Sequence, residues 1–208
     1  GGAGGAIFIT TGSFEGTGEI TADGSPAGGN QHAGGAGRIA VVLTDPGETF
    51  AGYSGAFSAH SQRNQDARGW AAGTIYLQAG DEADGAGTVT IDNDANDENI
   101  VVTHLPPQTG LVDDLSRTRF VITNAAKLTL TTNVTVGTID VRGDTRVDLA
   151  GHTLTTTQRP LIDGMQYKAG VYTAQDFVGD GHGEIVDSSG DDSGVIEVLA
   201  PGSVLIVW

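Results

Sequence analysis

The stretch "GGAGRIAVVLTDPGETFAGYSGAFSAHS", residues 34–61, sets a glycine cluster before a β-branched run and closes on a second cluster of small residues. Nearly the same phrase occupies residues 1–24, "GGAGGAIFITTGSFEGTGEITADG", and residues 71–93, "AAGTIYLQAGDEADGAGTVTIDN". Each copy holds a first strand-like core directly after its small residues: "AIFIT", "RIAVV" and "TIYLQ". This alignment makes Ile7, Ile39 and Ile75 equivalent. A second core follows, "GEITA", "GAFSA" and "GTVTI", and makes Ile20, Phe57 and Val89 equivalent. Phe14 and Phe50 lead into that second core, but the third copy reads "DEADGAG" there.

One short strand pair cannot bury its apolar face in water. Equivalent strands from successive repeats can, by stacking their Ile, Val, Leu and Phe side chains into columns. Glycine then belongs where the chain turns sharply or where two backbones pass close together. The expected fold is therefore all-β, a parallel β-solenoid with looped coils; the alternative is a β-sandwich with glycine-rich loops. From Lys127 the repeat tightens, and "KLTLTTN" and "RVDLAGH" align Lys127 with Arg146. Around them "RFVITN", "VTVGTIDV" and "HTLTTT" alternate apolar and polar residues between Asn and Gly breaks, the pattern of strands and turns. Wide looped coils are expected over 1–99, tighter coils over 100–158 and a closing β segment over 159–208, all as one continuous domain. A single helical turn is expected near "LVDDLSR", residues 111–117.

Composition removes several function classes. The chain has 208 residues, with 26 Asp and Glu against 10 Lys and Arg, for a formal charge of −16. Phosphate binding needs clustered basic side chains, and the sequence has no basic run, so nucleic acid is not an expected partner. Attraction to an anionic membrane surface is not expected, on the same ground. No apolar run reaches the length of a membrane span, so membrane insertion is not expected either. Without cysteine there is no disulfide framework and no thiol chemistry. The chain opens inside the repeated phrase, so it is expected to be a processed or excised piece of a longer protein, its first coil stacking on a lost upstream coil or, end to end, on a neighbouring copy.

At "GGAGRIAVV" and "AAGTIYLQ" the chain resembles the glycine-rich coils of large bacterial extracellular β-helix proteins. Residues 131–156, "TTNVTVGTIDVRGDTRVDLAGHTLTT", resemble the passenger repeats of autotransporter-like surface proteins. "MQYKAGVYTA" and "GHGEIVDSSGDDSGVIEVL" are similar to the closing segment of such proteins. The resemblance implies a right-handed parallel β-helix, secreted or displayed at the cell surface. It transfers no catalytic residues.

One paired edge and two single stretches carry side chains suited to chemistry. The loops over 22–37 and 59–73 leave the same type of strand, so stacking places them on one edge. That edge gathers Asp23 and His32 with His60, Arg63, Asp66, Arg68 and Trp70, an aromatic, cationic and acidic set that suits a polysaccharide. The alternative is that Trp70 covers the core edge and Arg68 pairs with Asp66. In "DNDANDEN", Asp92, Asp94 and Asn96 have the alternate oxygen spacing that opens a calcium loop, with Asp97 beside them. Asp97 and Thr103 stand where an EF-hand needs Gly and Glu, so the candidate is a calcium-stiffened turn and the alternative a solvated loop. In "GDGHGEIVDSSGDD", His182 lies among Asp180, Glu184, Asp187, Asp191 and Asp192, a mixture that suits a transition metal or a plain turn. No serine elbow, Cys–His pair or phosphate loop is present.

The leading expectation is a structural or adhesive module of a secreted or surface-displayed bacterial protein, without catalytic residues and with end-to-end self-association into fibres. The alternative is a carbohydrate-active β-helix enzyme of the polysaccharide lyase or hydrolase type, or a sugar-binding domain. No cofactor is expected beyond calcium.

Overall fold

The structure is a computed structural model that describes residues 1–26, 34–61, 71–95, 101–105, 114–177 and 184–201. The described residues are nearly all β-strand and loop, with 3-10 turns at Phe50–Gly52 and Ala174–Phe177. The first repeats supply β1 (Ala6–Thr11), β2 (Glu19–Thr21), β3 (Arg38–Leu43), β4 (Ala56–Ser58) and β5 (Thr74–Gln78). Next come β6 (Thr88–Asp92), β7 (Thr103–Leu105), β8 (Arg119–Thr123), β9 (Lys127–Leu130) and β10 (Val134–Val136). The tight repeat continues through β11 (Thr138–Val141), β12 (Arg146–Asp148), β13 (Thr153–Thr156) and β14 (Leu161–Ile162). The chain then forms β15 (Met165–Gln166), β16 (Gly170–Thr173), β17 (Glu184–Val186) and β18 (Val195–Val198). No helix among the described residues is long and apolar enough to cross a membrane.

Strands pair mainly with their equivalents one repeat away. The largest sheet runs β1-β3-β5-β6-β8-β11-β14-β15. Ile7 pairs with Ile39 and Ile39 with Ile75, all in parallel register, so the first expected column exists. Ile39 and Ile75 are buried. Smaller sheets run β2-β4, β17-β12-β9-β7 and β10-β13-β18-β16. Lys127 lies opposite Arg146, as the tight repeat requires. The column Leu128, Val147 and Ile185 is buried in the same register. The helical turn expected over 111–117 falls partly outside the described residues. Its remainder is a plain turn in which Ser116 N–H donates to Asp114 Oδ1 at 3.0 Å.

The second expected column is correct for two members and wrong for the third. Ile20 lies opposite Phe57 in the β2-β4 sheet, but Val89 lies opposite Tyr76 in the large sheet. The chain reverses between β5 and β6, and β6 returns antiparallel beside β5. The side chains explain the difference. In the first two repeats Phe14 and Phe50 pack on Phe57 at ring separations of 5.8 and 6.3 Å, and Tyr53 joins them at 4.9 Å from Phe57. That cluster pins the approach to the second strand. The third repeat has no aromatic there. Instead the Gln78 amide oxygen accepts from Tyr76 Oη and Gly85 N–H, and Ala79 N–H donates to Glu82, which closes a hairpin.

The reversal has a second consequence. Side chains directly opposite one another across a ladder share a face. Ile75 and Leu77 lie opposite Thr90 and Thr88, whereas Tyr76 lies opposite Val89. The first core, with Ile39, Val41, Leu43 and Ile75, is therefore on one face of the large sheet. The second core, with Ile91, Phe120, Ile122, Ile139 and Val141, is on the opposite face. The strand direction and the buried face both switch between β5 and β6.

Outside the second core, the Asp140 carboxylate is held by Arg119 Nη2 at 2.6 Å and by the Nε and Nη2 of Arg142. The Arg142 hydrogen bonds hold its carboxyl below the usual carboxylate range; burial opposes them, and Arg119 adds to the lowering. A depressed folded-state value makes this contribution complete above the unfolded pKa, about 3.9, and lost as pH falls through the lower folded value. Both guanidinium groups are about half exposed, so solvent screens the cluster. Asp140→Asn is expected to cost about 1 kcal/mol at neutral pH. The difference should vanish in strong acid, as urea titrations of both proteins across pH would register.

Candidate functional site

The β2-β4 sheet has only those two strands among the described residues, because the chain that would have laid a third beside β4 crosses to the large sheet as β6. Among the described residues no third strand lies beside β4, next to half-buried Phe57 and Leu77 and buried Ile75. A cavity of about 410 Å³ opens there, lined by Phe57, Ser58, Ala59, His60, Ile75, Leu77, Thr90, Asp92 and Asp94. That volume lies in the range of small-ligand sites. Phe57, Ala59, Ile75 and Leu77 make its apolar wall, and the other residues make its polar side.

One polar edge is built by the first repeats. Asp23 follows β2, and the backbone N–H of Ala22 donates to Ser58 O at 2.8 Å, which sets Asp23 beside the end of β4. Asp23 Oδ1 accepts from Ser58 Oγ at 2.6 Å and from His60 N–H at 2.9 Å. Ser58 Oγ lies 3.0 Å from His60 Nε2. Serine has one hydroxyl hydrogen, and here Asp23 receives it, so Ser58 Oγ accepts from Nε2–H. In the tautomer that this order selects, Nδ1 carries a bare lone pair. That atom is buried and has no hydrogen-bond partner.

The opposite edge comes from the reversed strand. Thr90 and Asp92 alternate along β6 and share the face of Ile75 and Leu77. Beyond β6 the chain bends through Asp94 and Ala95, whose φ values of 50° and 54° are left-handed. Asp92 Oδ1 accepts from Asp94 N–H at 2.7 Å, and Asp92 Oδ2 accepts from Asn124 Nδ2 at 2.8 Å. These bonds fix the bend and place Asp94 Oδ2 4.0 Å from His60 Nδ1. Two acceptors therefore face each other across the polar side.

The sequence kept His60 apart from Asp92 and Asp94; the structure brings all three to one cavity. Asp23 joins them through Ser58 and His60. Arg63, Asp66, Arg68 and Trp70 of the expected sugar edge lie outside the described residues, as do His32, Asn96 and Asp97. Ser58, Thr90 and Asn124 were missed. Ser58 and His60 at alternate positions after a repeated strand are the signal that would have found the first. Asp180 and His182 of the third stretch also fall outside the described residues. Within its described part, Asp187 Oδ1 accepts from Gly151 and Ser189 N–H, and its Oδ2 from Gly194 N–H. Burial raises the Asp187 pKa, but those hydrogen bonds outweigh it and leave the carboxyl below its usual range. That carboxylate ties turns together. Among the described residues no three His, Asp or Glu side chains converge as metal ligands.

The chain has no significant match among protein-family models, curated proteins or solved structures.

Proposed function

We propose that this chain is a structural or adhesive module of a secreted or surface-displayed bacterial protein, built as a right-handed parallel β-helix. The carrying observation is the register: Ile7, Ile39 and Ile75 stack in one column, and β8, β11 and β14 stack in the same sheet beyond the reversal. Reversing the strand and switching the buried face together equal a half-turn about the stacking direction, so both parts wind with one hand. Parallel crossovers are overwhelmingly right-handed, which selects that hand. Repeats of this kind suit extension and display because each one contacts only its neighbours.

Self-association through the first strand belongs to the same proposal. Among the described residues β1 is the last strand at one end of the large sheet, and Phe8 on it is 73% exposed. An exposed edge strand is a template for pairing with another chain unless charge blocks it. Sedimentation velocity at rising concentration is expected to show growing elongated species, and Phe8→Lys is expected to abolish them. A particle that stays monomeric at every concentration would sink the self-association. Calcium at the turn opening with Asp92 is also proposed. It predicts a higher melting temperature with calcium than with chelator, and superimposable melting curves would reject it.

The cavity favours a second reading, a sugar-binding or carbohydrate-active domain. Its apolar wall beside hydroxyl, imidazole and carboxylate groups matches the two faces of a pyranose. Screening against plant and bacterial polysaccharides tests it, with retention lost in His60→Ala as the expected mark. Retention unaffected by that change would place any sugar site elsewhere.

A further inference from the structure

We propose that the cavity between β4 and β6 receives the ammonium group and alkyl stem of a lysine side chain from a partner polypeptide, in place of the sugar or calcium considered above. The starting point is the pair of acceptors. His60 Nδ1 is buried and unpartnered, and the hydrogen-bond order Nε2–H to Ser58 to Asp23 leaves it without a proton in the neutral ring. Asp94 Oδ2 faces it at 4.0 Å. A lone pair and a carboxylate oxygen so placed repel unless a donor comes between them. A donor that also brings positive charge gains most, since it satisfies the imidazole and neutralises the carboxylate together.

Stem and charge narrow the chemistry. Behind the acceptors the wall is apolar, with Phe57, Ile75 and Leu77. A lysine matches that layout: four methylenes lie along apolar surface while the ammonium, with three donors, stays at the polar edge. An arginine fork suits a planar carboxylate or phosphate partner and has no match in an imidazole lone pair and one carboxylate oxygen. The formal charge of −16 supplies a long-range field that draws basic partners and repels acidic ones. Asp94 is 77% exposed and the His60 side chain 24%, so an incoming side chain reaches the polar edge from the Asp94 side.

The test is nuclear magnetic resonance titration of the whole chain, read at the His60 ring nitrogens and at the Ile75 and Leu77 methyl groups. The probe is Nα-acetyl-lysine N-methylamide, beside its Nε-acetylated form, glucosamine and calcium chloride. The lysine probe is expected to move the His60 Nδ1 and methyl signals saturably, and the Nε-acetylated form to leave them in place. Asp94→Asn keeps the shape of an exposed side chain and should fold normally. It is expected to weaken the lysine probe roughly tenfold, as losing one charged hydrogen bond does. Four results would overturn the proposal: no saturable shift with the lysine probe, equal binding of the Nε-acetylated form, stronger binding of glucosamine or calcium at the same signals, or a free protein in which His60 Nδ1 already carries a proton.

Discussion

Gly37→Ala is expected to destabilise the first repeats by about 3 kcal/mol, the upper end of what overpacking costs. Gly35→Ala, two residues earlier, is expected to be neutral or to stabilise by about 0.5 kcal/mol through the unfolded state. The contrast is steric. A β-carbon on Gly37 would sit 1.9 Å from the carbonyl oxygen of Gly5, and one on Gly35 would meet nothing within 4 Å. Side-chain motion cannot relieve the first clash, because the obstacle is backbone. Gly5 O is also the acceptor for Arg38 N–H at 2.9 Å, so pushing it away breaks the bond that starts the β1-β3 ladder. The strain passes to the other side as well, since Gly37 O accepts from Thr74 N–H and lies 1.9 Å from where a Gly73 β-carbon would be. Urea unfolding gives the magnitude. Hydrogen exchange at β1 and β5 shows whether the damage spreads both ways from β3. Equal stability of the two variants would mean that the glycine before each strand does not set the spacing between repeats.

That glycine ladder explains how much of the fold was legible. A small residue before each β-branched core, with Ile at one fixed place in every core, is a record of backbone packing that sequence preserves directly. The Ile7–Ile39–Ile75 column and the Lys127–Arg146 step could be read from it, and both are present in register. The reversal at β6 could not. "TVTID" alternates in the same way whether it runs parallel or antiparallel, and alternation carries no direction. What decided it was the loss of one phenylalanine and the capture of Gln78 by Gly85 and Tyr76, contacts local to a hairpin. The cavity was hidden for the same reason. His60 and Asp94 belong to different repeats, and only the reversed strand carries Asp94 back to the end of β4. Had Val89 continued the Ile20–Phe57 column, it would have covered the apolar wall that now lines the cavity.

Ile122→Asp is expected to unfold the second core outright. Ile122 is fully buried, stacked between Ile91 and Val141 in parallel register. Removing its side chain from a packed site costs about 2 to 5 kcal/mol. The new carboxylate has no partner there, and an unpaired buried charge adds several more. The sum rivals the whole stability of an ordinary domain, about 5 to 15 kcal/mol. The first core should respond differently. It lies on the other face of the large sheet, and Ile75, Tyr76 and Leu77 pair with β6 across that boundary. Hydrogen exchange in the variant is therefore expected to show protection lost over β8, β11 and β14 but kept over β1 and β3. Ile39→Asp should reverse that pattern, because Ile39 is buried only among residues of the first core. If both variants instead lose protection everywhere, the shared sheet rather than the face is the cooperative unit. The change of face at β6 would then be a detail of packing without energetic meaning. If each loses only its own half, the hairpin between β5 and β6 joins two separately stable stacks, and the cavity beside it lies at the seam where they can move against each other.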